Sequence, residues 1–349
     1  MAYTTIDDPS AYFQAKAYTG NGSNSYAITN DGNSDLQPDL WWVKNRDKAY
    51  DHNIYDSTRG TSLRLVSNST SAEATATDRI ASFDTNGFTL NSSVISNENN
   101  NPHVAWQWKA NGGTTSSNTD GTITTTIQTN SDAGFSICRH DGNGTAGATF
   151  GHGLGVKPDF IISKRTDSIT NWRCYHSSVG ATKHILLNST AAAATATDSW
   201  NDTEPTSSVV TVGSSSRTNA SGSAILFYIF ASKQGFSKFG SYEGNGYNSN
   251  FIYTGFKPAF IVLRDLSGGG WFTFDIKRDT YNTAEKRIAL NDSAAEATGS
   301  FTNVLDFYSN GFRVINTDSA WNGGSRNYIY IAFAENPFVT STGIPTTAR

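Results

Sequence analysis

The chain of 349 residues has a net charge of −4, so it lacks the basic excess that holds a phosphate backbone, and we expect no binding to nucleic acid. It has no run of about 18 apolar residues for membrane insertion and no N-terminal export signal, which predicts synthesis in the cytosol. Aromatic residues make up 12% of the chain, and Gly, Ser, Thr and Asn are frequent, which favours short strands joined by polar turns.

Several motifs occur three times along the chain. A Gly-Asn-Gly motif occupies residues 20–22, 142–144 and 244–246, and an apolar run that ends in Lys or Arg follows Pro38, Pro158 and Pro258. The prolines are 120 and 100 residues apart and the central asparagines 122 and 102 apart, so the two motifs keep register. Asn-Gly pairs favour tight turns, and a proline just before a strand removes no ladder hydrogen bond. The proline-led runs are therefore predicted as strands.

Later blocks repeat in the same order. Stretches rich in Ala and Thr at 72–75, 191–195 and 294–298 could each form one helical turn, whereas the apolar runs 104–108, 225–230 and 328–333 are typical of strands. The repeats divide the chain into residues 1–112, 113–234 and 235–349, which we call segments 1, 2 and 3.

We predict an all-β fold of three tandem antiparallel β-sandwiches, of jelly-roll or lectin-like type, in a row and with almost no helix. A length of about 100 residues would let each sandwich bury a core of its own. Residues 110–118 are the best linker, and the short junction 231–235 indicates a fixed arrangement. The residues after Pro337 are predicted as a C-terminal arm, although a frayed end fits equally well.

Motifs for chemistry are few. The sequence contains no nucleophile elbow, P-loop or dinucleotide fingerprint, and its six histidines lack metal-ligand spacing. Asp56 and Asp275 occupy one repeat position, which favours a turn or core-edge role over a catalytic pair, and segment 2 has His176 there. We predict no enzyme, no cofactor and free buried thiols at Cys138 and Cys174. Calcium binding by turn acids such as Asp141 remains a lesser alternative.

The tryptophans separate into two groups. Those at 41, 42, 106 and 108 align with apolar residues of the other segments and are predicted to be core. Trp172 and Trp271 correspond to each other and to His52, and their polar neighbours predict half-exposed side chains. Trp321 lies in a Gly- and Asn-rich loop without an aromatic counterpart, so it could stack on a sugar or fold back over its own core. The candidate ligand-binding residues are Trp321, Asn322, Arg326, Trp172 and Trp271.

Motifs across the whole chain resemble those of tandem-repeat virion proteins from bacteriophages of marine bacteria. The similar stretches are residues 18–22, 104–113, 236–242, 254–260 and 332–338. The resemblance implies a virion protein of lectin-like or adhesin-like character. It supplies no binding or catalytic residues that can be transferred to this chain.

The expected function is therefore that of a virion structural protein, a tail fibre, adhesin or capsid-decorating appendage that contributes to host attachment. A lectin-like module of a cell-surface protein is the alternative, and a glycan hydrolase is disfavoured because no acid pair stands out. Expected partners are other virion proteins and a host-surface glycan. A homo-oligomer, with a trimer favoured, follows the general rule of closed symmetry.

Overall fold

Strands dominate the computed structural model, which describes residues 2–298 and 303–346. They make up 43% of the chain and helix 3%, which confirms the all-β prediction. Within the described residues, helix is limited to a 3₁₀ turn at Pro9–Ala11 and two single turns, α1 (Val94–Asn97) and α2 (Thr197–Trp200). The apolar runs are too short and too often interrupted by Gly and Asn to sustain a helical period.

The strands of each segment follow the repeated motifs. Segment 1 contains β1 (Phe13–Thr19), β2 (Tyr26–Thr29), β3 (Leu40–Asn45), β4 (Asn53–Asp56), β5 (Gly60–Leu65), β6 (Ala74–Thr75), β7 (Ile80–Asp84), β8 (Gly87–Leu90) and β9 (Pro102–Trp108). Segment 2 contains β10 (Ser116–Asn118), β11 (Thr125–Asn130), β12 (Phe135–Asp141), β13 (Ala148–Gly151), β14 (Phe160–Arg165), β15 (Arg173–His176), β16 (Lys183–Leu186), β17 (Ala194–Thr195), β18 (Val209–Val212) and β19 (Ala224–Phe230). Segment 3 contains β20 (Ser237–Glu243), β21 (Asn250–Tyr253), β22 (Phe256–Asp265), β23 (Trp271–Asp275), β24 (Ile288–Ala289), β25 (Leu305–Tyr308), β26 (Gly311–Val314) and β27 (Asn327–Pro337).

Within the part of the chain that the structure describes, each segment has one large and one small sheet. The large sheets have the orders β1-β9-β3-β4-β5-β6, β10-β11-β12-β19-β14-β15-β16-β17 and β20-β27-β22-β23-β24. The small sheets are β2-β8-β7, β13-β18 and β21-β26-β25. In every large sheet the closing strand pairs on one side with the first long strand and on the other with the proline-led strand, always antiparallel. Pro258 differs from its counterparts because it lies inside β22, at a bulge where its missing N–H is tolerated.

The small sheet of each segment covers one face of the large sheet, as in a β-sandwich. Between the two layers lies a core that belongs to the segment. Its members include Trp41, Phe88 and Leu90 in segment 1, Phe150, Val210 and Phe227 in segment 2, and Phe307, Phe312 and Trp321 in segment 3.

The opposite faces of the three large sheets meet in one common core, which corrects the expectation of self-sufficient sandwiches in a row. Phe333 of segment 3 illustrates the contact, because its ring centroid lies 4.9 Å from Phe13 of segment 1 and 6.0 Å from Phe230 of segment 2. A cavity of about 30 Å³ remains at this centre, with an apolar lining from all three segments. A large sheet buried on both faces accounts for its near-continuous apolar strands, since a sandwich strand with one wet face would alternate.

Backbone hydrogen bonds between segments form a closed cycle. The N–H of Glu73 donates to the carbonyl of Thr166 at 2.8 Å, that of Ala193 to Leu266 at 2.9 Å, and that of Glu296 to Arg46 at 2.7 Å. The three donors lie in the stretches 72–75, 191–195 and 294–298. The helical turns predicted there are wrong, because two of these stretches form the short strands β6 and β17 and the third makes the bridge between Ala297 and Arg287.

The junction between segments 1 and 2 is tied to the fold rather than left as a free linker. One carboxylate oxygen of Asp39 accepts the N–H groups of Ala110 at 2.7 Å and Gly112 at 2.9 Å. The amide oxygen of Gln128 accepts those of Asn111 and Gly113. The end of the predicted linker then joins the sheet as β10.

The C-terminal residues after Pro337 do not extend away as an arm. Val339 bridges Pro345, and the N–H of Thr340 donates to the carbonyl of Ile344 at 2.9 Å, which makes a tight turn. Ser341 then donates its N–H and hydroxyl to the Asp7 carboxylate at 2.6 and 2.5 Å. The described part of this tail is therefore held against the N-terminal segment.

The shared core makes a direct prediction about segment 2. Expressed alone as residues 113–234, it is expected not to fold, because the face that carries Phe135, Phe160 and Phe230 would be left in water. The intact chain is expected to unfold in one cooperative transition. Far-UV circular dichroism and amide-proton dispersion check both points, and a cooperative unfolding transition of monomeric segment 2 would contradict the prediction.

Candidate functional site

The predicted site residues Trp172 and Trp271 are buried and connect segments, so the expectation of half exposure is wrong. The indole N–H of Trp172 donates to the carbonyl of Val66 in segment 1 at 3.0 Å, and that of Trp271 to Leu186 in segment 2 at 2.9 Å. His52, at the matching position, places Nε2 3.0 Å from the carbonyl of Ala289 in segment 3. These three hydrogen bonds close a second cycle around the common core, so neither tryptophan can meet a ligand.

The third predicted tryptophan, Trp321, is also buried. Its ring centroid lies 4.6 Å from Phe272 and 5.6 Å from Phe274, within the core of segment 3. The alternative in which it folds back over its own core is therefore the right one. Arg326 is partly exposed, but its guanidinium is 2.7 Å from the Asp265 carboxylate. The sequence left both alternatives open, because the loop around Trp321 is as polar as an exposed one.

Asn322 is a structural residue that recurs in each segment. Its side-chain oxygen accepts the N–H of Asn245 in the Gly-Asn-Gly motif at 2.9 Å, and its amide donates to the carbonyl of Tyr247 at 2.6 Å. Asn97 and Asn219 do the same for the other two motifs. The last glycine of each motif has φ near +70°, the turn conformation that the motif predicts. The buried asparagine thus fixes this turn and is not free to bind a ligand.

The repeat-related acids are held in buried ion pairs. Arg278 donates to Asp275 at 2.6 Å and to Glu296 at 3.0 Å, and the Asp275 carboxylate also accepts the indole N–H of Trp106 in segment 1 at 3.0 Å. The same set in segment 1 is Asp56, Arg59 and Glu73, with Tyr228 of segment 2 as the additional donor. Both sets lie where segments meet, which fits the predicted core-edge role.

Metal ligands do not cluster in the described part of the chain, where no group of three or more His, Cys, Asp or Glu could hold an ion. Cys138 and Cys174 are free and buried, as predicted. They lie in different cores, Cys138 within segment 2 and Cys174 in the common core, and burial raises the pKa of the Cys138 thiol to about 12. No helix among the described residues is long and apolar enough to span a membrane.

The outer face of the small sheet of segment 3 is the surface that stands out. Phe251 and Tyr253 lie two residues apart on β21, point away from the core, and are 48% and 49% exposed. Phe251 packs edge-on against Tyr308 of β25 with ring centroids 6.0 Å apart. Between them lies Gly311, whose missing side chain leaves room for the Phe251 ring, since a Cβ there would be 3.0 Å from it. We call Phe251, Tyr253 and Tyr308 the aromatic face.

Charged groups border the aromatic face. Arg313, beside Phe251 in the strand register, donates to the Asp306 carboxylate at 2.8 Å, and its guanidinium lies 5.5 Å from the centre of the Tyr308 ring. On the other side, Lys238 lies 5.3 Å from the centre of the Tyr253 ring and donates to the Tyr253 carbonyl at 2.9 Å. The face therefore combines flat apolar surface with donors and acceptors at its rim.

Segments 1 and 2 lack this combination. The positions that match Phe251 and Tyr253 in segment 1 are Ala27 and Thr29, which pair with β8 in the same register. In segment 2 the small sheet has two strands, and Thr149 of β13 occupies the position that matches Phe251. The sequence signal for the aromatic face was thus the replacement of small residues by two aromatic ones at outward positions, which becomes visible only when the strand register is known.

Comparison with known proteins identifies one relationship. A family model described as a domain of unknown function, DUF7483, matches residues 8–337. The chain belongs to this family. No curated protein and no solved structure matches it. The DUF7483 region runs from the 3₁₀ turn to the end of β27, so it includes the common core and the aromatic face.

Proposed function

We propose that this DUF7483 protein is a non-catalytic attachment protein of a virion and that the aromatic face of segment 3 binds carbohydrate on the host surface. The observation that carries the proposal is the pair of half-exposed rings Phe251 and Tyr253, present on one of three similar sheets. The virion setting rests on the resemblance of the sequence motifs to those of bacteriophage repeat proteins. Assembly as a homotrimer remains a prediction.

The chemistry of the face suits a sugar. A pyranose ring has a flat side of C–H groups that packs on an aromatic ring and a rim of hydroxyls that exchange hydrogen bonds. Phe251 and Tyr253 supply the flat surface, while the Arg313 side chain, 37% exposed, donates at its edge. Its partner Asp306 is largely buried and holds the Arg313 guanidinium beside the rings.

The size of the face favours a sugar over a protein partner. The small sheet has three strands of four residues each, and only alternate residues point outward. A stable protein interface uses about 20–30 residues on each side. One or a few sugar rings match the available surface much better.

The ion pairs of the repeat-related acids support the non-catalytic part of the proposal. A glycosidase requires two carboxylates that face each other across a cleft, one of them able to take and return a proton. Asp56 and Asp275 are instead each engaged by a buried arginine within their own segments. A lectin-like module of a cell-surface protein would share the sugar site, and imaging of labelled chain on intact particles would separate the two settings.

Replacing Phe251 or Tyr253 with alanine is expected to weaken glycan binding about 2- to 13-fold, because one stacked aromatic contact contributes about 0.5–1.5 kcal/mol. A glycan array identifies the ligand, and isothermal titration then compares the variants. Ile169→Ala is the matched control, since Ile169 is 75% exposed on segment 2. All three variants should retain wild-type unfolding midpoints. Unchanged glycan affinity in a Phe251→Ala/Tyr253→Ala double variant would refute the assignment of the site.

A further inference from the structure

A cluster of cationic side chains in segment 2 lies outside the aromatic face and the ion pairs described above. Arg173 of β15 and His184 of β16 point to the same side of the large sheet, because Arg173 pairs with Leu186 and successive residues alternate. That side faces the core of segment 2. Arg217 approaches them from the loop before β19, because its carbonyl accepts the hydroxyl of Ser163, the strand partner of Arg173, at 3.1 Å. Its guanidinium is close enough to act electrostatically on both Arg173 and His184.

The donors of this cluster lack acceptors. Among the described residues, none accepts a hydrogen bond from Nε or Nη1 of Arg173, Nε of Arg217 or Nδ1 of His184, although these atoms are buried. Arg173 as a whole is only 7% exposed. Asp198 is near enough to act on Arg173 and His184 electrostatically, but no salt bridge connects it to this part of the described chain. A buried guanidinium without a partner is unfavourable unless a ligand provides the acceptor.

The matching positions in the other segments show how such a cation is normally satisfied. In segment 1 the counterpart of Arg173 is Asn53, whose oxygen accepts from Arg79 at 3.1 Å, and Arg79 also pairs with Asp78. In segment 3 the counterpart is Phe272, whose ring centre lies 5.6 Å from Arg287. Segment 2 instead brings two arginines together. Burial and the neighbouring charge of Arg217 lower the pKa of Arg173 to about 10, so it stays charged at neutral pH.

We propose that Arg173, Arg217 and His184 form a binding site for a tetrahedral oxyanion, either free phosphate or sulfate or the same group as an ester on a sugar. Two guanidinium groups offer planar pairs of N–H donors that match the oxygens of such an anion. The Nδ1 of His184 is a third donor at the same face. The partly exposed side chains of His184 and Arg217 leave the cluster open to solvent on one side. This site is independent of the proposed sugar-binding face of segment 3.

Isothermal titration with inorganic phosphate, at constant ionic strength maintained with sodium chloride, tests the proposal on the full chain. The wild type is expected to bind one phosphate, and Arg217→Gln to bind it at least tenfold more weakly. Arg139→Gln is the control, because Arg139 is an exposed arginine of the same segment, and its affinity should not change. Absence of saturable binding by the wild type, or wild-type affinity in Arg217→Gln, would overturn the proposal.

A second variant separates binding from folding. Arg173→Gln is expected to abolish phosphate binding while its unfolding midpoint in anion-free buffer equals or exceeds that of the wild type, because a buried unpaired charge is removed. A clearly lower midpoint would show that Arg173 is needed for folding and would count against an anion site. Titration with a monosaccharide sulfate distinguishes the sources: tighter binding than inorganic sulfate indicates the ester, and equal or weaker binding indicates the free ion.

Discussion

Lowering the pH from 7 to 5 is expected to destabilise the protein by on the order of 8 kcal/mol, about 2 kcal/mol from each of four buried histidines. Burial lowers the pKa of His52 to about 3 and those of His103, His140 and His176 to about 4. Since folded domains are stable by about 5–15 kcal/mol, this loss is comparable with the total.

The sign follows from where the protons bind. Near pH 7 these histidines are neutral in the folded chain and mostly neutral in the unfolded chain. Below about pH 6.5 the unfolded chain binds protons at these histidines, whereas the folded chain does not bind them until about pH 4 or lower. The free energy of unfolding therefore falls as the pH decreases from about 6.5 to about 4. His52 shows the cause: its Nδ1 accepts the indole N–H of Trp42 at 3.0 Å and would have to give up that bond to bind a proton.

Urea unfolding at several pH values between 7 and 5 measures the effect, and the slope of the unfolding free energy against pH counts the protons. The chain itself supplies a control, because segment 2 has Ile162 and Trp172 where segment 1 has Trp42 and His52. The double variant Trp42→Ile/His52→Trp should keep the contact to Ala289 and bind about one proton fewer on unfolding. A free energy of unfolding that does not change between pH 7 and 5 would contradict the prediction.

Replacing Arg278 with alanine is expected to destabilise the protein by about 3–5 kcal/mol, because it leaves the buried Asp275 carboxylate without a cation and leaves Glu296 with Arg46 alone. Arg278 is fully buried, and besides the two acids it donates to the carbonyl of Thr273 at 2.9 Å. Lys277→Ala is the control, since Lys277 makes a half-exposed pair with Asp31 and should change stability by less than about 1 kcal/mol.

Segment 2 shows that the whole ionic set can be replaced at once. Its residues at the positions of Asp275, Arg278 and Glu296 are His176, Val179 and Ala193, respectively. In segment 3 the backbone of Glu296 bonds to Arg46, whereas in segment 2 the backbone of Ala193 bonds to Leu266, so Leu266 takes the place of Arg46. The quadruple variant, Asp275→His, Arg278→Val, Glu296→Ala and Arg46→Leu, is therefore expected to recover most of the lost stability. Chemical denaturation compares the variants, and a quadruple variant no more stable than Arg278→Ala would show that the sets are not interchangeable.

Local sequence determined the strands and turns of this protein. The Gly-Asn-Gly motifs require positive φ at their last residue, and β-branched and aromatic runs bounded by such turns fit pleated sheet wherever they are placed. The core roles of Trp41, Trp42, Trp106 and Trp108 followed from matching apolar residues in register, and all four are buried. These features depend on a few neighbouring residues, so the order of residues along the chain was enough.

Tertiary structure determined which faces of the sheets are covered and which side chains remain exposed. Trp172, Trp271 and Trp321 look exposed in sequence because their neighbours are polar, yet each is covered by residues distant in the chain. The aromatic face and the Arg173 cluster could not be found from the sequence either, since both depend on strand register and on which side of a sheet is covered. The continuous apolar character of strands such as 225–230 and 260–263 was a local sign that the large sheets are buried on both faces. Only the closed arrangement of three segments shows what covers the second face.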